Sequence, residues 1–522
     1  MSQGSPQKSL VEAMKEPGFY PNQPAEVTHK ETHISHIFIA GELVYKVKKA
    51  VRFSFLDYST LDKRQHFLHE EMRLNKRLAS SVYLAVVPIA VGPLGWHLGS
   101  DGEVMEYALV MRRLPDNRML PFLIETGQAT PEMMGELAQV LAAFHRRAEK
   151  FEEIDVTTYP QVVEDEWYEN LADLRPFTGR LIEQESSRVL EDFGTDFISE
   201  HRELFARRAA QGWIRDVHGD LHCEHVCFAP EAVQIFDCIE FSPELRRCDI
   251  ASEVAFLLMD LEFRCSGKLA YAFLEQYLKL LQDPELPALL PFYKCYRAIV
   301  RGKVHALRSR GSSSVAARYF RLAERLTWDP EKPFLVMVCG LTGSGKSTLA
   351  RELSERLGMP VISSDHLRKA MAGVTGSRQA AFGQDIYTPA MTEKTYVKIA
   401  GEAAKSLQAG TGAILDATFG QRSQRQKILQ LAKDWQVPIV IVYCRASDET
   451  TKRRLGKRAA EGRDTSDGRW EIYTEQQHNF QPFEEVTVEC FIELDTEAPV
   501  KILSRTCEKF FRSRFSGQKT WR

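Results

Sequence analysis

Cysteine is scarce and unpaired: ten in 522 residues, none before position 223 and none in a CxxC pair. This excludes a disulfide scaffold and suits reduced thiols in a cytoplasmic protein. Net charge is nearly absent, with 68 basic against 71 acidic residues. Such a chain is not steered wholesale onto nucleic acid or an anionic membrane. No run approaches the ~18 apolar residues of a membrane span. The longest candidate, Val254 to Met259, is cut by Asp260. The first 24 residues hold no apolar core of the signal-peptide kind. With 44% apolar and 27% charged residues, collagen-like and disordered classes are excluded as well.

What is present reads as two domains. Residues 1–25 are rich in Pro, Gly, Ser and Gln and are expected to form a flexible arm. From 26 to 326 the order is strands, one helix, strands, then mostly helices around a loop-and-strand block at 213–241. Thr327 to Pro333 is a Pro-bounded linker. From 334 to 522 strand and helix alternate, which argues for a doubly wound parallel sheet.

The clearest motif is Gly340-Leu341-Thr342-Gly343-Ser344-Gly345-Lys346-Ser347-Thr348. It fits the phosphate-loop pattern, with a continuous apolar strand before it and an amphipathic helix after it. Glycines let backbone N–H groups turn onto phosphate oxygens, and the helix N-terminus adds positive charge. Lys346 is expected on the β and γ phosphates and Ser347 on Mg²⁺. Asp365 ends the next strand, with Arg368 one helical turn on, and Asp416 ends another. Strand C-termini are where ligands sit in open α/β sheets. Asp365 is the candidate base toward an acceptor hydroxyl, with helix capping as its competing role. Asp416 is the candidate for orienting Mg²⁺. Arg454 and Arg458 share a helix face and, with Arg463, are candidates for clamping a transferring phosphoryl group.

Together these features resemble the small P-loop kinases of the nucleoside-monophosphate, gluconate, shikimate and polynucleotide kinase type, over about 334–500. The resemblance implies that Asp365 and Arg368 face the acceptor and that the arginine-bearing helix is a lid.

A second constellation runs from His218-Gly219-Asp220 through His222 and His225 to Asp237. An acid in a loop is followed by an acid at the end of a short strand 17 residues later. The stretch also carries Cys223 and Cys227, but its spacings do not match the usual zinc patterns, so a zinc site is not expected. The loop resembles the catalytic loop of the aminoglycoside and choline phosphotransferases, which share the protein-kinase fold. That resemblance covers about 26–326. It implies Asp220 as catalytic base and Asp237 as metal ligand. It implies Lys46 as the strand lysine on the α and β phosphates and Glu71 as its helix partner, with Lys48 and Glu70 as competing choices. His225 stands where that family has Asn. Imidazole suits transition metals better than Mg²⁺, so Mn²⁺ is the alternative ion for this domain. No Gly-rich loop precedes Lys46, and Ser35 is weighed as a phosphate contact in its place.

The whole arrangement resembles a bacterial group that fuses an aminoglycoside-phosphotransferase-like domain to a P-loop kinase domain. The expectation is an ATP-dependent phosphotransferase acting on a small-molecule hydroxyl. One alternative is a degenerate first domain that senses a ligand and gates the second. The other is a nucleic-acid 5′-end kinase, because Lys501 to Arg522 hold seven basic residues and one acid with Phe510, Phe511, Phe515 and Trp521 among them. A helix packing on its own domain is the favoured reading of that tail.

Overall fold

A computed structural model describes residues 6–53, 56–93, 95–151, 155–309, 313–328, 333–372, 388–461 and 470–515. The chain gathers into two compact units. The first holds residues 1–165, 198–261 and 272–293, and the second holds 166–197, 262–271 and 294–522. The division therefore does not fall at the Pro-bounded linker. No helix among the described residues is long and apolar enough to cross a membrane.

The first unit opens with a correction. Residues 6–13 form a helix, and Leu10, Met14 and Tyr20 are buried against the first sheet rather than loose. Leu10 and Met14 lie one turn apart on the same face, and the Tyr20 hydroxyl donates to Met14 O at 2.5 Å. Three apolar anchors among many polar residues do not register in composition.

The antiparallel sheet runs in the order Val27–Glu31, Ser35–Ala40, Leu43–Lys48, Glu103–Arg112, Tyr83–Gly92, Gly95–Leu98. In a strand, residues two apart share a face, so Lys46 and Lys48 point the same way. The helix Leu61–Asn75 is capped by Thr60, whose hydroxyl accepts from Lys63 N. Its buried face carries Leu68, Glu71, Leu74 and Asn75. Glu71 is therefore turned inward beside the two lysines, and Glu70 is turned out to Arg73 at 2.8 Å. Ser35 is fully buried at the start of its strand, so it is not a surface for phosphate.

The second unit is built on five parallel strands in the order Val361–Ser363, Ala413–Asp416, Leu335–Cys339, Ile439–Arg445, Phe491–Asp495. Leu335–Cys339 is wholly buried because both of its faces are covered. Val336 and Val338 face a core with Leu349, Leu353, Leu503 and Phe511. Leu335, Met337 and Cys339 face the other core, with Tyr396, Ile399 and Ile428. On the helix Val500–Phe515, Leu503, Cys507, Phe511 and Phe515 recur every four residues on the buried face, and Phe515 stacks on Trp328 at 6.2 Å. Phe511 and Phe515 therefore serve the core rather than stacking on bases, and Trp521 lies outside the described residues.

Helices from early in the chain join this unit. Arg356, near the end of the phosphate-loop helix, pairs with Glu183 at 3.2 Å and Glu508 at 3.1 Å. Lys268 N donates to Ala409 O at 3.2 Å. A Cβ on Gly267 would stand 2.8 Å from Gly410 O, so the backbones meet there with no room for a side chain.

Candidate functional site

The phosphate loop lies at the C-terminal end of the central strand, where the strand order reverses. That is the crevice in which open α/β sheets bind ligands. Gly340, Gly343 and Gly345 hold φ of 146°, 77° and 88°. A Cβ on Gly340 would lie 2.6 Å from both Cys444 O and Ser344 Oγ. Gly340→Ala is therefore expected to cost about 1–3 kcal/mol through backbone strain and to weaken nucleotide binding; thermal unfolding with and without ATP checks both.

Asp416 sits level with Val338 and Ser363 in the parallel register. Its Oδ1 is buried with no hydrogen-bond partner among the described residues, and Ser347 lines the same cleft. Burial pushes its pKa up, against the opposing pull of Lys346 and Ser347. An orphaned carboxylate oxygen beside a serine hydroxyl is the hard-oxygen set that Mg²⁺ takes, so these residues fit that ion. Asp365 lies in the first turn of the helix Ser364–Met371, and Arg368 reaches its Oδ1 at 3.3 Å. The capping position belongs to Ser363, whose side chain makes no cap bond. Lys346, Ser347, Asp365, Arg368 and Asp416 share one cleft of about 250 Å³.

Arg454 is not in that cleft. Its guanidinium donates to Thr496 O at 2.6 Å, Thr496 Oγ1 at 3.1 Å and Gly343 O at 3.4 Å. It lines a second cleft of about 460 Å³ with Gly345, Thr348, Lys457, Thr496 and Val500. The helix that carries it, Asp448–Glu461, follows the strand Ile439–Arg445 and sets Arg454 against Thr496, just past the strand Phe491–Asp495. The Arg458 side chain and Arg463 lie outside the described residues. Two residues were invisible in the motif. Gln476 accepts from Thr342 N at 2.8 Å, and the Thr496 hydroxyl donates to Ser344 O at 2.6 Å. Both hold the loop from elements far along the chain, and no local spacing announces them.

In the first unit the expected residues also converge. Lys46 Nζ lies 2.7 Å from Glu71 Oε1 and 2.8 Å from Asp237 Oδ1. Glu71 does not choose between the lysines: its Oε2 takes Lys48 at 2.8 Å. Lys48 is wholly buried and also paired with Glu240, so Lys46 is the one that meets Asp237. Asp237 has φ 61°, a conformation that L residues seldom hold, and its N–H donates to the Tyr83 hydroxyl at 3.1 Å. Burial pushes the Asp237 carboxyl up, but Lys46 outweighs it and the group titrates below the ordinary range.

Glu253 fixes the loop itself. Its Oε1 accepts from His218 N at 2.6 Å and Gly219 N at 2.8 Å, and its Oε2 meets His145 Nε2 at 2.6 Å. It lies in the first turns of the buried helix Ile250–Phe263. Arg77 adds a second brace, with Asp216 Oδ1 at 2.9 Å and Val217 O at 3.0 Å. His225 Nδ1 lies 2.8 Å from Asp220 O, and its Nε2 lies 3.5 Å from Asp237 Oδ2. Burial and the neighbouring His222 lower its pKa to about 4, so the ring is neutral at pH 7.

Comparison with known proteins separates the two clusters of site residues. Residues 43–292 match the model of the phosphotransferase enzyme family, and residues 335–483 match an AAA-domain model. An uncharacterized protein of Mycobacterium tuberculosis is 33% identical over 442 residues, 84% of this chain and 87% of its own. The chain belongs to this two-domain phosphotransferase and P-loop family. Among solved structures, a choline/ethanolamine kinase family protein of Mesorhizobium loti is 14% identical, covering 62% of this chain and 96% of its own, with TM-score 0.38. A gluconokinase of Sinorhizobium meliloti is 19% identical, covering 36% of this chain and 94% of its own, with TM-score 0.26. The phosphotransferase domain thus carries the His218–Asp237 cluster, and the P-loop domain carries the Lys346 cleft.

Proposed function

We propose that the P-loop domain transfers the γ-phosphoryl group of ATP to a hydroxyl of a small molecule in the cytoplasm. The observation that carries this reading is the shared cleft: Lys346, Ser347 and Asp416 beside Asp365 and Arg368. Bound Mg²⁺ supplies charge neutralisation of the phosphates, and Ser347 and Asp416 would hold it. Lys346 stabilises charge developing on the phosphoryl group. Asp365, oriented by Arg368, accepts the proton of the acceptor hydroxyl as its oxygen bonds to phosphorus and ADP leaves. The separate cleft beside Arg454 and Thr496 is the place for the nucleoside end of ATP.

The first domain supports a second nucleotide site. Lys46 would hold phosphates, Asp237 and His225 would face the metal as Mg²⁺ or Mn²⁺, and Asp220 would act as base. Incubation with γ-labelled ATP and Mg²⁺ over a panel of polyols, amino alcohols and nucleosides tests the proposal. Labelled acceptor is the expected result, and absence of both transfer and ATP turnover overturns it.

Asp416→Asn separates stability from function. A buried carboxylate whose pKa is raised is destabilising wherever it is ionised, above that raised pKa. Removing its charge is expected to raise the Tm of the ligand-free protein at pH 7 while ATP turnover and its Mg²⁺ dependence fall by at least ~10-fold. Thermal scans and Mg²⁺ titrations of the same samples read both.

A further inference from the structure

Among the described residues, Asp220, His222 and His225 each bring a ligand atom within 4.8 Å of the other two. We propose that these three residues form a transition-metal site of the zinc type, which shares His225 with the metal position of the first domain's nucleotide site. The separations suit such an ion. Asp220 Oδ2 lies 3.5 Å from His222 Nε2 and 3.7 Å from His225 Nδ1. A tetrahedral ion with bonds of about 2.0–2.2 Å keeps its ligand atoms about 3.3–3.6 Å apart. The two Asp–His separations need only close slightly, while the two imidazole rings, 4.0 Å apart centre to centre, must spread for both nitrogens to point at one ion.

The surroundings of His225 point the same way. Its Nδ1 faces two oxygens of Asp220, the carbonyl at 2.8 Å and the carboxylate at 3.7 Å. Its Nε2 faces Asp237 Oδ2 at 3.5 Å. An ion at Nδ1 displaces the hydrogen bond to the Asp220 carbonyl and leaves the ring proton on Nε2, facing Asp237. That is the carboxylate–histidine–metal arrangement that orients metal-binding imidazoles. His222 is buried against Phe256 and is held in place. Two imidazoles and one carboxylate are donors of the zinc class, whereas Mg²⁺ asks for oxygens. The sequence spacing argued against zinc because it looked for a distant second pair. A three-ligand site with an open fourth position needs none.

Occupancy would take the Asp220 carboxylate away from the acceptor and hold the first domain inactive. That consequence rests on Asp220 being the base; the binding does not. The test uses the full chain stripped with chelator and titrated with Zn²⁺ against a chromophoric chelator. One ion per chain is expected at this site. His225→Asn and His222→Gln are each expected to weaken it at least ~10-fold, and Asp237→Asn by about 10-fold as an outer partner. His29→Gln breaks the other close histidine pair, at 3.2 Å, and is expected to leave it unchanged. Co²⁺ in place of Zn²⁺ is expected to give the intense visible bands of a tetrahedral ion. Binding unchanged in His225→Asn, binding lost in His29→Gln, or an octahedral Co²⁺ spectrum overturns the proposal. Circular dichroism checks that His222→Gln is folded; if it is not, His225→Asn and the Co²⁺ spectrum decide. Because the readout is binding, a negative result leaves phosphoryl transfer by the P-loop domain standing.

Discussion

Lys346→Ala is expected to lower ATP turnover by the P-loop domain about 10²–10³-fold, the usual loss when one preorganised charge is removed from a phosphoryl-transfer site. The expectation follows from where Lys346 lies. It shares the cleft with Asp365, Arg368 and Asp416, and among the described residues its Nζ hydrogen-bonds only Leu341 O, at 3.4 Å. A lysine so lightly tied is available to phosphate. The fold should survive, because the loop is held independently by Thr496 on Ser344 and Gln476 on Thr342. Steady-state assays of Lys346→Ala beside Asp220→Ala apportion the turnover. Turnover abolished by the first substitution alone assigns it to the P-loop. Turnover that survives the first and falls with the second assigns it to the phosphotransferase domain.

Glu253→Ala is expected to produce the largest loss of stability in the first unit, about 3–5 kcal/mol, the range for stripping one partner from a buried ionic or hydrogen-bonded cluster. Three buried donors lose their acceptor together: His218 N, Gly219 N and His145. Glu253→Gln keeps an acceptor for the two backbone donors and should cost less. Urea unfolding of the two variants gives the comparison. The pH dependence has a definite sign. Burial raises the Glu253 carboxyl, but the His145 hydrogen bond and its neighbours outweigh this and leave it below the ordinary glutamate value of about 4.5. A group depressed in the folded state stabilises above its unfolded pKa and loses that contribution as pH falls through its folded one. The stability gap between wild type and Glu253→Ala should therefore narrow only on acidification below about pH 4.5.

The gathering of residues in the P-loop cleft was legible because they sit at strand ends and in one contiguous loop. Gly340 to Thr348, Asp365, Arg368 and Asp416 are each marked by a local pattern, and the sheet brings them together. Lys46, Asp220 and Asp237 were legible by resemblance. Glu71 was found, but its double duty toward Lys46 and Lys48 was not, since pairing across 25 residues leaves no periodic trace. Arg454 was read from helix spacing alone. Spacing says which residues share a face but not which way the helix turns that face, and the order of strands sets that. Glu253 lay hidden in an apolar helix that looked like core. The strand Phe491–Asp495 was missed, as one short edge strand among polar residues.

The helices at 166–197, 262–271 and 294–326 belong to the same compact unit as the phosphate loop. A ribosome that has made the first 326 residues has therefore delivered pieces whose partners are not yet synthesised. Glu183 waits for Arg356 and Glu508, and the turn at Gly267 waits for Gly410. Domains ordinarily fold as units in the order of synthesis, but here the first unit is complete at residue 293 while helices of the second, made earlier, still wait for the rest of it. Cutting the gene at the linker is therefore expected to strip the second unit of its helices from 166–197, 262–271 and 294–326. The tie between the two halves of the chain is written into the order of translation.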